Sequence, residues 1–264
     1  MLKWKIEKNV ISELYLGNEN LILPWGVETA DSSAFFSLEQ GVGWRHSRID
    51  ENYQWDDREY RARVTTKMKE GLWRLDVQDQ VVGGDSLVRR CEIECLEDSV
   101  FMDFVMRFRF RKNFFEYAEI AGNRYVHNNT NIYYQFPVSS VYLKGHGFGV
   151  EIRINDALVP EQMTSCMYVR DYKDEWVVHA RMLPTKPYKN VIKLCNRWTG
   201  TRPLPQFLSN MLLTSKSVKS ALWYRSEHSP YQNKILRILN PNAFSMVKLP
   251  IGERLMWNIS VRVL

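Results

Sequence analysis

Apolar and polar residues alternate one for one along much of this chain. Val100, Met102, Phe104, Met106, Phe108 and Phe110 are apolar, while Asp103, Arg107, Arg109 and Arg111 fall between them. A helix would repeat its apolar positions every three or four residues, so a two-residue period predicts an antiparallel strand with one dry face. The pattern recurs in Leu87 to Cys95, in Phe148 to Ile154 and in Leu255 to Val263. Arg61, Arg63 and Thr65 lead into Lys69-Glu70-Gly71, and Trp73, Leu75 and Val77 follow, which predicts a hairpin. Further turns are expected at Gly83-Gly84-Asp85, Gly122-Asn123, Gly145 to Gly149 and Pro250-Ile251-Gly252. Helical spacing occurs only around Pro205 to Leu222. So many strands need two stacked sheets. The expected fold is all-β, a large antiparallel two-sheet β-sandwich with at most one or two short helices. One domain is expected over residues 1–264, with 1–59 supplying N-terminal strands and a long aromatic loop.

Composition narrows the class. With 264 residues, 45% hydrophobic and 25% charged, the chain is neither disordered, collagen-like nor a coiled coil. Its formal charge of +6 favours anionic partners only mildly. Aromatic residues reach 13%, which suits sheet surfaces and also the stacking of sugar rings. The start, Met1-Leu2-Lys3-Trp4-Lys5, has no apolar leader, and no run approaches the ~20 apolar residues of a membrane span. Cys91 and Cys95 share one strand, about 13 Å apart, too far to bridge, and no CxxC pair suggests zinc. The expectation is a cytoplasmic protein with reduced thiols and no membrane partner. Oligomeric state is left open.

Familiar catalytic fingerprints are absent: there is no Walker A loop, no GxSxG elbow, no HExxH and no strand-GxGxxG-helix unit. Neither metal nor cofactor is expected. Arg124 to Pro137 carries the strongest polar signal. If it is extended, His127, Asn129, Asn131, Tyr133 and Gln135 share one face. Amides, a phenol and an imidazole in a row suit a polyhydroxylated ligand; the bland alternative is a turn at Asn128-Asn129 and a solvated strand face. Arg107, Arg109 and Arg111 form a second row, able to grip carboxylate or phosphate, or simply balanced by Asp103, Glu92 and Glu94. The segment holding Trp44, His46, Arg48, Tyr53 and Trp55 is a third candidate, with Trp25, Trp44 and Trp55 for stacking and His46 and Arg48 for polar contact. His179, beside Trp176 and Val178, reads as structural.

From Tyr60 to Leu264 the succession resembles the galactose-mutarotase-like β-sandwich. The resemblance lies in the strand pair Leu87 to Ile93 and Phe101 to Phe108, in the His127 to Gln135 segment, and in the close from Leu249 to Ile259. It implies a carbohydrate-processing fold used by mutarotases and by polysaccharide lyases. The paired-histidine and carboxylate motifs of mutarotases do not occur in this sequence. Lyases of the type use a His or Tyr base beside an Asn or Arg that neutralises a uronate. His127 or Tyr133 would be that base, with Asn129, Arg107 or Arg109 as stabiliser and Asn131 and Gln135 as further sugar contacts. Acid–base chemistry on a saccharide, an acidic one favoured, is the expected function. A carbohydrate-binding or protein-interaction module without turnover is the rival, and a nucleic acid on the arginine row is disfavoured.

Overall fold

The computed structural model describes residues 1–31, 35–39, 43–44, 46–101, 103–127, 129, 133–136, 138–184 and 247–264. In chain order the strands are β1 (Leu2–Glu7), β2 (Val10–Leu16), β3 (Glu19–Asn20), β4 (Ile22–Ala30), β5 (Phe35–Ser37), β6 (Gly43–Trp44) and β7 (Ser47–Trp55). There follow β8 (Glu59–Met68), β9 (Gly71–Val82), β10 (Ser86–Cys95), β11 (Ser99–Phe101), β12 (Asp103–Arg111), β13 (Tyr117–Ile120) and β14 (Asn123–Val126). The last are β15 (Tyr133–Phe136), β16 (Ser140–Lys144), β17 (Gly149–Leu158), β18 (Met163–Tyr172), β19 (Glu175–Pro184), β20 (Val247–Leu249) and β21 (Arg254–Val263). Among the described residues the only helical piece is a 3-10 turn at Lys112–Phe114, and no helix is long and apolar enough to cross a membrane. The helical spacing at Pro205 to Leu222, and Cys195, lie outside the described residues.

Two large antiparallel sheets make an all-β sandwich. One has nine strands in the order β14-β13-β16-β17-β21-β10-β9-β8-β7, the other seven in the order β15-β18-β19-β12-β4-β5-β6. Among the described residues a small β1-β2-β3 sheet and the β11-β20 pair complete the set. The expected β8–β9 hairpin is present, closed by Met68 opposite Gly71. Its inner face carries Val64, Trp73, Leu75 and Val77, and β10 and β21 add Leu87, Ile93, Leu255, Trp257 and Ile259, all buried. The seven-stranded sheet answers with Phe104, Met106, Phe108, Phe110, Trp176, Val178 and Met182. Rings interlock across the gap: Phe36 meets Trp73 edge-on at 4.9 Å, and Phe104 lies 6.4 Å from Trp257.

Three local expectations change. The Val100–Phe110 run is two strands, with β11 paired to β20 and β12 in the seven-stranded sheet. Phe101 is therefore buried where the alternation had placed Val100. The expected aromatic loop is largely strand β7, an edge strand wet on both faces, so it shows no two-residue period. Trp25 is fully buried core, packed against Phe108 and Phe110.

The core also holds a charge pair. Arg89 and Asp79 sit on the inner faces of β10 and β9, both buried, and the guanidinium donates twice to the carboxylate at 2.6 Å. Burial opposes charge on both partners: it carries the Asp79 carboxyl upward despite Arg89, whereas chiefly the charge and hydrogen bonds of Asp79 hold the guanidinium above its ordinary value, so that it stays protonated. Arg89 also lies 5.9 Å from the Trp25 ring centre, so the pair on one sheet touches the other. Nearby thiols are inert in the folded chain: burial pushes Cys91 well up and Cys95 up to about 12. Cys91 and Cys95 are free and buried, and Cys166 is buried too.

Asp79→Ala leaves a buried guanidinium without its carboxylate and is expected to cost about 3–5 kcal/mol in urea unfolding. The double replacement Asp79→Leu with Arg89→Met is expected to recover most of that loss. A single-variant cost below about 1 kcal/mol would show that the pair is not isolated from water.

Candidate functional site

Because β12 commits its even-numbered phenylalanines to the core, Arg107, Arg109 and Arg111 share the opposite face. The same parity on β19 puts Glu175, Val177, His179 and Arg181 on that face, and on β18 it puts Cys166, Tyr168, Arg170 and Tyr172 there. The register aligns them across strands. Arg107 pairs with His179, His179 with Tyr168, and Tyr168 with Gln135. One step along, Arg109 pairs with Val177, Val177 with Arg170, and Arg170 with Tyr133. On the other flank, Gly26 stands opposite Arg107 and Glu28 opposite Val105.

This face is a lattice of opposite charges. Arg107 reaches Glu28 at 2.8 Å and also contacts Glu39. Arg109 donates to Glu175 at 2.7 and 3.2 Å, with Glu39 at 3.9 Å. Burial is the largest single influence and works against the Arg109 charge, but the bond to Glu175 together with the charges of Glu175, Glu39 and Glu28 holds the guanidinium above its ordinary value. Arg181 bonds Asp103 at 3.2 Å and lies 5.2 Å from the Tyr168 ring centre. The Tyr168 hydroxyl and His179 Nε2 are 3.3 Å apart. Gly26 supplies the space where Arg107 and Glu39 meet: a Cβ there would lie 3.2 Å from Arg107 Nη2 and 3.6 Å from Glu39 Oε2. The face is shielded at Asp103 and Arg181 and opens towards Arg107, Arg109 and Arg111. Thus Arg107 and Arg109 are balanced by Glu28, Glu39 and Glu175, and Arg111 donates to the Ile22 carbonyl at 3.1 Å, whereas Glu92 and Glu94 belong to the other sheet and pair with Arg74, Arg90 and Arg254.

Arg48 reaches the edge of this face from β7. It donates to the Ser37 and Leu38 carbonyls at 2.9 and 3.2 Å, to Glu51 at 3.0 Å and to the Tyr53 hydroxyl at 2.8 Å. The two carbonyls directly precede Glu39, so Arg48 anchors the chain that carries Glu39 to Arg107. His46 packs edge-on against Phe36 at 5.3 Å. Trp44 lies on β6, opposite Phe35. Trp55 is half exposed at the far end of β7, seven residues or about 23 Å along the strand from Arg48.

The run from Arg124 to Pro137 is not one strand. β14 ends at Val126 in the nine-stranded sheet and β15 begins at Tyr133 in the seven-stranded sheet. Asn129 takes a left-handed φ of 57°, which asparagine tolerates, and accepts the Lys173 N–H at 2.9 Å. Asn131 lies outside the described residues. His127 sits between the sheets at the β18–β19 turn. Its Nε2 is 3.0 Å from the fully buried Asp171 carboxylate, and its ring meets Trp176 edge-on at 5.2 Å. The structure therefore brings Arg107 and Arg109 into register with Tyr133 and Gln135, and places His127 and Asn129 at a separate crossover. Among the described residues no cluster of His, Cys, Asp and Glu could hold a metal ion.

Tyr168, Arg181, Glu28, Glu39 and Glu175 join this face although the sequence alone does not mark them. His179, which reads as structural from the sequence, is buried, and its neighbours Trp176 and Val178 alternate with it and occupy the other face. The two-residue period of β19 was a sufficient signal.

No protein-family model matches the chain, and no curated protein sequence matches it. Among solved structures it is similar to galactose 1-epimerase from Lactobacillus acidophilus NCFM, at 9% identity over 97% of this chain and 88% of that one, with a TM-score of 0.48. It is also similar to a galactose mutarotase-like protein from Clostridium acetobutylicum, at 7% identity over 97% and 89%, with a TM-score of 0.45. Both are weak likenesses of fold alone.

His127→Ala removes the ring packed on Trp176 and the group facing Asp171. It is expected to cost about 1–3 kcal/mol in urea unfolding, as other losses of buried packing do. A change below about 0.5 kcal/mol would mean that the crossover is not held there.

Proposed function

We propose that this chain handles a saccharide on the polar face of the seven-stranded sheet, by acid–base chemistry of the lyase, epimerase or mutarotase type. The observation that carries the reading is the cross-strand row Arg107, His179 and Tyr168, with the phenol and imidazole 3.3 Å apart. A hydroxyl and an imidazole within proton-transfer reach form a couple in which one partner takes a proton as the other returns one. Arg107, adjoining in the row, is placed to hold negative charge that develops on the substrate. Tyr133 and Gln135 border the couple by register.

Carboxylates and guanidiniums side by side suit a ligand rich in hydroxyls, which both donate and accept. Arg107 and Arg109 already answer Glu28, Glu39 and Glu175, so neutral sugars are served at least as well as acidic ones. Burial of the couple, with His179 7% and Tyr168 4% exposed, favours a second reading in which the face holds a glycan without turnover. The free, buried Cys91 and Cys95 support a reducing, cytoplasmic setting for either activity.

A glycan array identifies the saccharide, and turnover is then assayed on it. Tyr168→Phe and His179→Gln are each expected to lower the rate about 10²–10⁴-fold with the far-ultraviolet dichroism unchanged. Full turnover by both variants removes the couple from the mechanism. Glycan binding by the parent chain with no turnover selects the binding reading.

A further inference from the structure

Strand β7 forms one end of the nine-stranded sheet, and among the described residues its only strand neighbour is β8. It is nine residues long and exposed along nearly its whole length. Two of the large apolar side chains left in water belong to it, Ile49 at 60% and Trp55 at 50% exposure. An irregularity between Arg48 and Asp50 takes Ile49 out of the pairing with β8. The backbone phase of the edge follows from the hairpin that closes it. Asp56 N–H bonds the Glu59 carbonyl at 2.9 Å, so in the alternating antiparallel ladder Gln54 and Asn52 bond to β8. Glu51, Tyr53 and Trp55 then turn their N–H and C=O groups outward, where they can template another strand.

We propose that β7 is a homodimer edge, pairing antiparallel with β7 of a second copy across a two-fold axis at Asn52. That register places Glu51 opposite Tyr53, Asp50 opposite Gln54, Ile49 opposite Trp55 and Arg48 opposite Asp56. It joins the two exposed apolar side chains and sets no like charges directly opposite one another. The neighbouring registers of the same hydrogen-bond phase do worse. One sets Glu51 against Glu51, and the other sets Asp50 against Asp56; like charges directly opposite are destabilising. An isologous pairing of this kind closes on itself and continues the sheet from one copy into the next.

Sedimentation equilibrium of the full chain is expected to give a concentration-dependent mass approaching two chains. Trp55→Glu, an exposed position, is expected to weaken that association at least about tenfold, or ~1.4 kcal/mol, without changing the dichroism. The register is read separately. At the axis a non-hydrogen-bonded pair has Cα atoms about 4.5 Å apart, within disulfide range. Asn52→Cys is therefore expected to give a covalent dimer with oxidised glutathione, and Gln54→Cys and the parent chain to give none. A monomer at every concentration overturns the proposal, including the case in which the edge serves a different protein. A dimer that survives Trp55→Glu, or that forms no bridge at Asn52→Cys, overturns it too.

Discussion

Phe104, Met106, Phe108 and Phe110 are held beneath the nine-stranded sheet, and a strand offers its residues only two sides. Their burial therefore decides where Arg107, Arg109 and Arg111 go. The same rule on β19, set by Trp176, Val178, Ala180 and Met182, sends Glu175, His179 and Arg181 to the same side. A one-residue slip in either strand would turn charge into the core and rings into the polar face. The charged lattice is thus aligned by apolar burial rather than by its own attractions, since ion pairs near a surface contribute little by themselves.

The two sheets are tied in register by a polar thread through the core. Asp79 holds Arg89, Arg89 faces the Trp25 ring, and Trp25 donates its indole N–H to the Arg109 carbonyl at 3.3 Å. Three groups from β9, β10 and β4 therefore meet behind the backbone of an arginine on the polar face. Apolar packing tolerates small sliding of one sheet over the other; a bidentate pair and an aimed N–H do not. Arg48 performs the corresponding task at the rim, where it fixes the carbonyls just before Glu39.

Much of the architecture was legible because strand parity survives in any residue order that buries one face. The β8–β9 hairpin, β10, β12 and β21 could be read from alternation, and so could the arginine row. β7 could not, because an edge strand wet on both faces has no alternation to read. The break after Val126 was hidden for a different reason: both halves of Arg124 to Pro137 are polar strand-like sequence, and only the partner sheet distinguishes them. The acidic partners of the arginine row come from residues 28, 39 and 175, remote in sequence from Arg107, and no local spacing links them. Tyr168 and His179 were legible in principle, from the phase of β18 and β19 against their core neighbours.

The order of the nine-stranded sheet bears on how the chain acquires its shape during synthesis. β21, last of the strands in sequence, lies in the middle of that sheet, between β10 and β17. Two meanders, β7 to β10 on one side and β13, β14, β16 and β17 on the other, can assemble locally as they emerge. Each would then wait with an open inner edge until β21 inserts between them. Contacts that span so much of the sequence are slow to form, and the waiting edges are prone to pair wrongly. Completion of this sheet is therefore a late event, and a nascent chain stalled before Arg254 is a natural client for chaperones that shield strand edges.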